Sequence, residues 1–332
     1  MDKKIVLFIV FLRALATCLI TNSHYAGIYP SNIIAKGGLL GDVIFFAVSG
    51  YCLLSVKKSF PLWYGKRIWR IYLPVVLITL VYFAFGYYTF DKTGFVWWFI
   101  YPTNYHFVAS IMLLYIPFYF VGRYEPLKKR IPLIAGIVAI AYLIVYVFFY
   151  DKSRYHIDNV KEWMIRFLFF ESMLLGGYFK YNDERFRNKF HWYIPVITIV
   201  LFVLCFVVKL IFSKYTVLAP FQIISQILTF ALLFFVFWTF ASIDKKLERL
   251  PKVIKSCLSY LAKLTLEIYV VQYVIIAALK KYFSFPISWI VITASILVAA
   301  TVLHYVCKLI YWGVDKLIQM IKNKLTKKEE NC

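Results

Sequence analysis

Apolar residues in this chain are gathered into about ten stretches, each near the ~20 residues with which a helix crosses a bilayer. They run near 5–23, 38–56, 70–90, 105–121, 131–150, 163–179, 192–212, 218–242, 257–279 and 287–312. With 62% hydrophobic and 20% aromatic residues among 332, the chain has more apolar surface than a water-soluble core can hide. In lipid, segments of this length satisfy their own backbone polar groups only as helices. The expectation is an all-α, polytopic membrane helical bundle of about ten transmembrane helices. Its connecting loops are short, so residues 1–332 read as a single membrane domain with no appended soluble domain, and any chemistry belongs inside the bundle.

A formal net charge of +22 would suggest nucleic acid in a soluble protein, but here the bases alternate with the loops. Of 38 Lys and Arg, 25 fall on the side of the N-terminus (Lys3 and Lys4 among them), 8 on the other side and 5 inside spans. That asymmetry predicts both termini in the cytoplasm and excludes nucleic acid as the partner; the partner is the lipid bilayer. The first stretch directly follows MDKK and lacks a small-residue cleavage site, so it is expected to be a retained helix. The six cysteines (Cys18, Cys52, Cys205, Cys257, Cys307, Cys332) stand singly, with no spacing of a disulfide framework or zinc site, and none of the five histidines has metal-ligand spacing. Most of the aromatic excess, Trp97 and Trp98 included, reads as interfacial belt.

Within the first stretch lies Arg13, and eleven residues later comes His24. Eleven steps of a helix turn only about 20° past three full turns, so both side chains project from one face, roughly 16 Å apart along the axis. An arginine at membrane depth marks an interior polar site or a water-filled path. The topology puts His24 toward the outer face. His106, at the start of the fourth stretch, shares that level, as a solvated interfacial histidine or as part of a site. Asp42 lies at a similar depth and could orient an imidazole or simply be solvated.

In GGLLGDVIFFAVSGYCLLSV the glycines and the small pair Ser49-Gly50 admit either a tight helix crossing or a ligand packed against it. Arg67 and Arg70 share a helix face at the cytoplasmic surface, where they fit a topology signal or a clamp on the phosphates of a nucleotide-bearing donor. Glu267 has Lys263 four residues before it and reads as half of a structural ion pair. Glu171 has only Arg166, five residues away on a different face, which leaves it as a candidate partner for Arg13. His304 and Lys308 read as polar packing on a helix face, and His156 and His191 as loop residues.

These residues together resemble the acyltransferase family 3 integral membrane O-acyltransferases. That family carries R-x10-H on its first helix, as Arg13 and His24 stand here. GGLLGDVIFFAVSGY is similar to its G-V-D-x-F-F-x-x-S-G-F/Y segment, Arg67 to Arg70 to its R-x-x-R, and LAKLTLEIYVVQ to its late I-G-x-I-S-x-x-I-Y-L-x-H. Two departures matter. Val43 stands where the family often has aspartate, with Asp42 one position and about 100° of helix away. Gln272 replaces the late histidine, which returns the chemical burden to His24.

The resemblance implies a membrane O-acyltransferase, usually an O-acetyltransferase, in a bacterial cytoplasmic (inner) membrane. It would move an acyl group from cytoplasmic acyl-CoA, acetyl-CoA above all, to a hydroxyl of an extracytoplasmic glycan such as a capsule or exopolysaccharide. No permanently bound cofactor is implied. Arg67 and Arg70 would hold the CoA phosphates, Arg13 would line the path or stabilise developing charge, and His24 would act as base or acyl-relaying nucleophile. Two alternatives stand beside this: a polysaccharide exporter of the same fold, and an acyltransferase for a lipid-linked saccharide or small-molecule acceptor. The exporter would more naturally show repeated halves with broken helices.

Overall fold

The computed structural model describes residues 6–89, 94, 98–99 and 105–329. Lys3, Lys4, Trp97 and Cys332 lie outside the described residues. Every apolar segment falls on a helix, and no strand occurs among the described residues. The order is α1 (Leu7–Ser23), α2 (Gly38–Leu53), α3 (Phe60–Ala84), α4 (His106–Arg123), α5 (Glu125–Lys129), α6 (Ile131–Phe149) and α7 (Ile165–Tyr181). There follow α8 (Asp183–Phe186), α9 (Tyr193–Lys214), α10 (Ile223–Ser242), α11 (Asp244–Leu247), α12 (Lys252–Lys263), α13 (Thr265–Leu279) and α14 (Ile287–Glu329). Among the described residues six helices are long and apolar enough to cross a membrane, or up to seven if α12 and α13 form one span. α1 and α2 are apolar but shorter.

Three boundaries differ from the sequence expectation. α3 begins at Phe60, with Pro61 in its first turn, where a missing N–H costs nothing. Arg67 and Arg70 are therefore inside a helix and not at its edge. α14 continues past residue 312 to Glu329. The ninth segment is two helices bent by 70° at Leu264. There the Leu264 N–H is shared between Tyr260 O (3.1 Å) and Leu261 O (3.2 Å), and the Thr265 hydroxyl donates to Ala262 O (3.0 Å), which ends α12 in a tightened last turn.

α2 is held between α1 and α7. A Cβ on Gly50 would stand 1.9 Å from Met173 O, and one on Gly176 1.7 Å from Ala47 O, so the α2–α7 crossing exists only because both positions are glycine. Of the two readings of Ser49-Gly50, the structure shows the tight crossing at Gly50. Phe46 and Phe169 stack across the same pair, centroids 4.3 Å apart.

The first turn of α1 leaves orphan amides, as every helix does. The Phe8 N–H donates to Oδ1 of the buried Asp244 (2.8 Å), whose Oδ2 takes Arg187 Nη2 at 2.6 Å. Arg187 also reaches Asp183 (3.3 Å), which accepts the Tyr51 hydroxyl (2.6 Å). This clasp ties α1, α2, α8 and α11 together at the end of the bundle opposite His24.

Candidate functional site

The His24 end of the bundle encloses a cavity of about 1100 Å³. The end of α1, the 33–40 segment with the start of α2, the start of α4, the 155–161 loop, α9, α10 and α13 all contribute to its wall. His24, Asp42 and His106, chosen from the sequence for their common depth, all line it.

His24 is the first residue beyond α1 and its backbone N–H caps the helix on Thr21 O (3.0 Å). Neither ring nitrogen has a hydrogen-bond partner among the described residues. The ring instead meets Tyr273 edge-on, with centroids 4.6 Å apart. Burial pushes its pKa down to about 4, because an imidazolium loses hydration there. The imidazole is thus neutral at ordinary pH and has a lone pair to offer.

Asp42 is 4% exposed and forms no hydrogen bond with His24. Its electrostatic neighbours are Tyr269 and Tyr273. The orienting group beside the imidazole is therefore the Tyr273 ring and not the carboxylate. Tyr269 and Tyr273 were missed in the sequence; the signal was their i, i+4 spacing, which puts both on one face of α13. Their hydroxyls lie 3.5 Å apart. His106 has Lys161 and Arg166 as its charged neighbours.

Arg13 does not line the cavity. It lies deeper, where Tyr115 is within electrostatic reach of both Arg13 and Arg67 and its hydroxyl is beside Ser49. Between the two levels the Thr17 and Thr265 hydroxyls close to 3.0 Å. Arg67 lays its guanidinium over Trp63 at 4.0 Å and donates to Trp63 O (3.1 Å), while its Nε is buried without a hydrogen-bond partner among the described residues. Arg70 is exposed one turn on, close enough for the two charges to repel, and its carbonyl takes the Tyr311 hydroxyl (3.1 Å). Two neighbouring guanidiniums with donors to spare suit phosphate oxygens.

Two expected pairings are corrected. Glu267 bonds His304 Nδ1 at 2.7 Å and not Lys263, because the bend at Leu264 removes Lys263 from the face of α13. Glu171 makes no ion pair with Arg13 among the described residues; it is buried on α7, with Oε1 lacking a hydrogen-bond partner. Gln272, at the position of the late family histidine, is fully buried away from the cavity, and neither polar atom of its amide has a hydrogen-bond partner among the described residues. Among the described residues no group of three His, Cys, Asp or Glu is placed to hold a metal ion.

A family model for an acyltransferase domain, that of acyltransferase family 3, matches residues 6–309. No curated protein and no solved structure matches the chain.

Proposed function

The chain belongs to acyltransferase family 3 and is a multi-pass membrane acyltransferase; from that premise we propose that it transfers an acyl group, acetyl first of all, from acyl-CoA on the cytoplasmic side to a hydroxyl of a saccharide on the other side. The observation that carries this reading is His24: a neutral imidazole with no hydrogen-bond partner among the described residues, at the wall of a cavity large enough for a few sugar rings. A hydroxyl seated there gives its proton to His24 as its oxygen attacks the thioester carbonyl. The C–S bond then breaks, the CoA thiolate leaves, and the proton returns from His24 to sulfur. A thiolate is a good leaving group, so a single base at the acceptor hydroxyl supplies most of what the step requires.

Arg67 and Arg70 suit the phosphates of the donor, at the end opposite the cavity. Arg13 stands between them and His24, in the middle of α1 and roughly 16 Å of axial rise before the helix end that carries His24. A thioester arm reaching His24 therefore passes Arg13 and parts the Thr17–Thr265 contact. This gives Arg13 the role of a guide for the arm, since an oxyanion formed beside His24 lies beyond its reach.

Full-length protein in detergent or nanodiscs, given labelled acetyl-CoA and mixed surface saccharides, tests the reading. Labelled ester should form with the wild type and be lost in His24→Ala, with protein level and insertion unchanged. Ester formation that survives His24→Ala overturns the role of His24. Saccharide movement across the membrane with no labelled ester would favour an exporter.

A further inference from the structure

Lysines on the side of the membrane that carries His24 have no topological reason to be there, since positive charge collects on the cytoplasmic side. Only 8 of the 38 Lys and Arg lie in the loops of that side, yet two of them, Lys36 and Lys161, line the cavity. A third, Lys209, lines it from within α9, where a cation at membrane depth is costly.

Lys209 is held by Asp158 at 3.0 Å. That carboxylate also accepts from the Tyr155 hydroxyl (2.5 Å) and Gln226 Nε2 (3.3 Å), and the Ser225 hydroxyl, which lies 2.9 Å from Gln222 O, is 3.2 Å from it. Asp158 is thus occupied by Lys209, Tyr155 and Gln226, whereas an ammonium has three N–H and Lys209 spends one on it. The remaining two are free for a ligand in the cavity.

The loop that carries Asp158 and Lys161 is fastened with unusual thoroughness for a loop. Oε1 of Gln222, itself 0% exposed, accepts the N–H groups of His156 and Ile157, both at 2.9 Å, and its Nε2 donates to Arg154 O (3.1 Å). Gln226 Nε2 donates to Ile157 O at 2.7 Å, and its Oε1 takes the Tyr142 hydroxyl (2.5 Å). Buried amides spent on loop backbone pre-organise what the loop displays. What it displays to the cavity is Lys161, three residues after the Asp158 that holds Lys209. Asp158 offsets Lys209, and the cavity's other carboxylate, Asp42, faces Tyr269 and Tyr273, so Lys36 and Lys161 have no carboxylate of their own and the lining carries three ammoniums against two carboxylates.

We propose that Lys161 and Lys209, with Lys36 lining the same cavity, form an acceptor subsite that selects saccharides bearing an anionic group, a carboxylate or a phosphate, over neutral ones. It rests on the acyl-transfer reading, with the anionic group on the Lys161–Lys209 wall and a hydroxyl of the same molecule at His24. Charge-assisted hydrogen bonds discriminate strongly against a ligand that lacks the charge.

The test is equilibrium binding to the purified full chain of three saccharides of equal size: one with a single uronic acid, its carboxyl-reduced neutral counterpart, and one with a single phosphomonoester. Binding is read separately from transfer, so a failure of the acyl-transfer reading does not obscure it. The wild type should bind one or both anionic saccharides about tenfold more tightly than the neutral one, with the advantage shrinking as salt rises. Whichever of the two gains identifies the anionic group. Lys161→Gln, at an exposed position, should remove most of the preference, and so should Lys209→Gln, with Lys209→Arg restoring it. Equal binding of charged and neutral saccharides, or a preference that Lys161→Gln and Lys209→Gln both leave intact, overturns the proposal.

Discussion

The imidazole of His24 meets the ring of Tyr273 edge-on, at 4.6 Å between centroids and 63° between planes. The two residues are 249 positions apart, and the contact forms only where α13 crosses the end of α1. An edge-to-face pair holds the imidazole in one rotamer without using either nitrogen, which leaves both for the reaction. Tyr273→Phe keeps the ring and should reduce acyl transfer by less than about tenfold. Tyr273→Ala frees the imidazole to turn and should cost about a hundredfold in kcat, the scale of a misplaced catalytic group. Initial rates at saturating acetyl-CoA distinguish the two; a Tyr273→Ala variant as active as wild type would show that the ring does not hold His24.

The depressed pKa of His24 sets a pH dependence. Its imidazole should remain unprotonated down to about pH 4, so the acid limb of the transfer rate should lie well below the 6.5 of a solvated histidine. In the unfolded chain the same imidazole takes its proton near 6.5. Between those values the unfolded state binds the extra proton, and the native state loses stability as pH falls from 6.5 toward 4. A rate–pH profile whose acid limb is centred at 6.5 would mean that His24 is hydrated in the working enzyme.

Glu267 and His304 join α13 to α14 through a 2.7 Å contact. Glu267→Gln should destabilise the protein by about 1.5–2 kcal/mol, the lower part of the range for a charge-assisted hydrogen bond, because the His304 side chain is 33% exposed. Lys263→Ala should be close to neutral. Thermal unfolding in detergent measures both, and a larger loss for Lys263→Ala would restore the local pair that the sequence suggested.

Gly50→Ala and Gly176→Ala each push a methyl into a backbone carbonyl of the neighbouring helix. Backbone does not yield as a side chain does, so each should cost about 3 kcal/mol or more, with loss of folded protein on size-exclusion chromatography. Gly136→Ala, with open space around it, is the control and should be tolerated.

Much of this architecture was legible in the residues. The length and spacing of apolar segments determine a helical membrane bundle, because lipid leaves the backbone no other way to satisfy itself. The eleven-residue step from Arg13 to His24 predicts one helix face over an unbroken helix, but α1 ends at Ser23, and His24 lines the cavity while Arg13 does not. The common depth of His24, Asp42 and His106 also follows from topology, and all three line one cavity. Partnerships were a different matter. Lys263 was the local candidate for Glu267, until a 70° bend at the next residue turned it away and brought His304 into reach. Glu171 was left to Arg13 because Arg166 sits on a different helix face, yet no ion pair forms between them among the described residues. Tyr273 beside His24, the Gln222 and Gln226 fastening of the 154–158 loop, and the Asp158–Lys209 pair all join residues dozens to hundreds of positions apart. Periodicity determines which face of a helix a residue occupies; which face of which other helix it meets is decided by packing, and only the tertiary structure contains that.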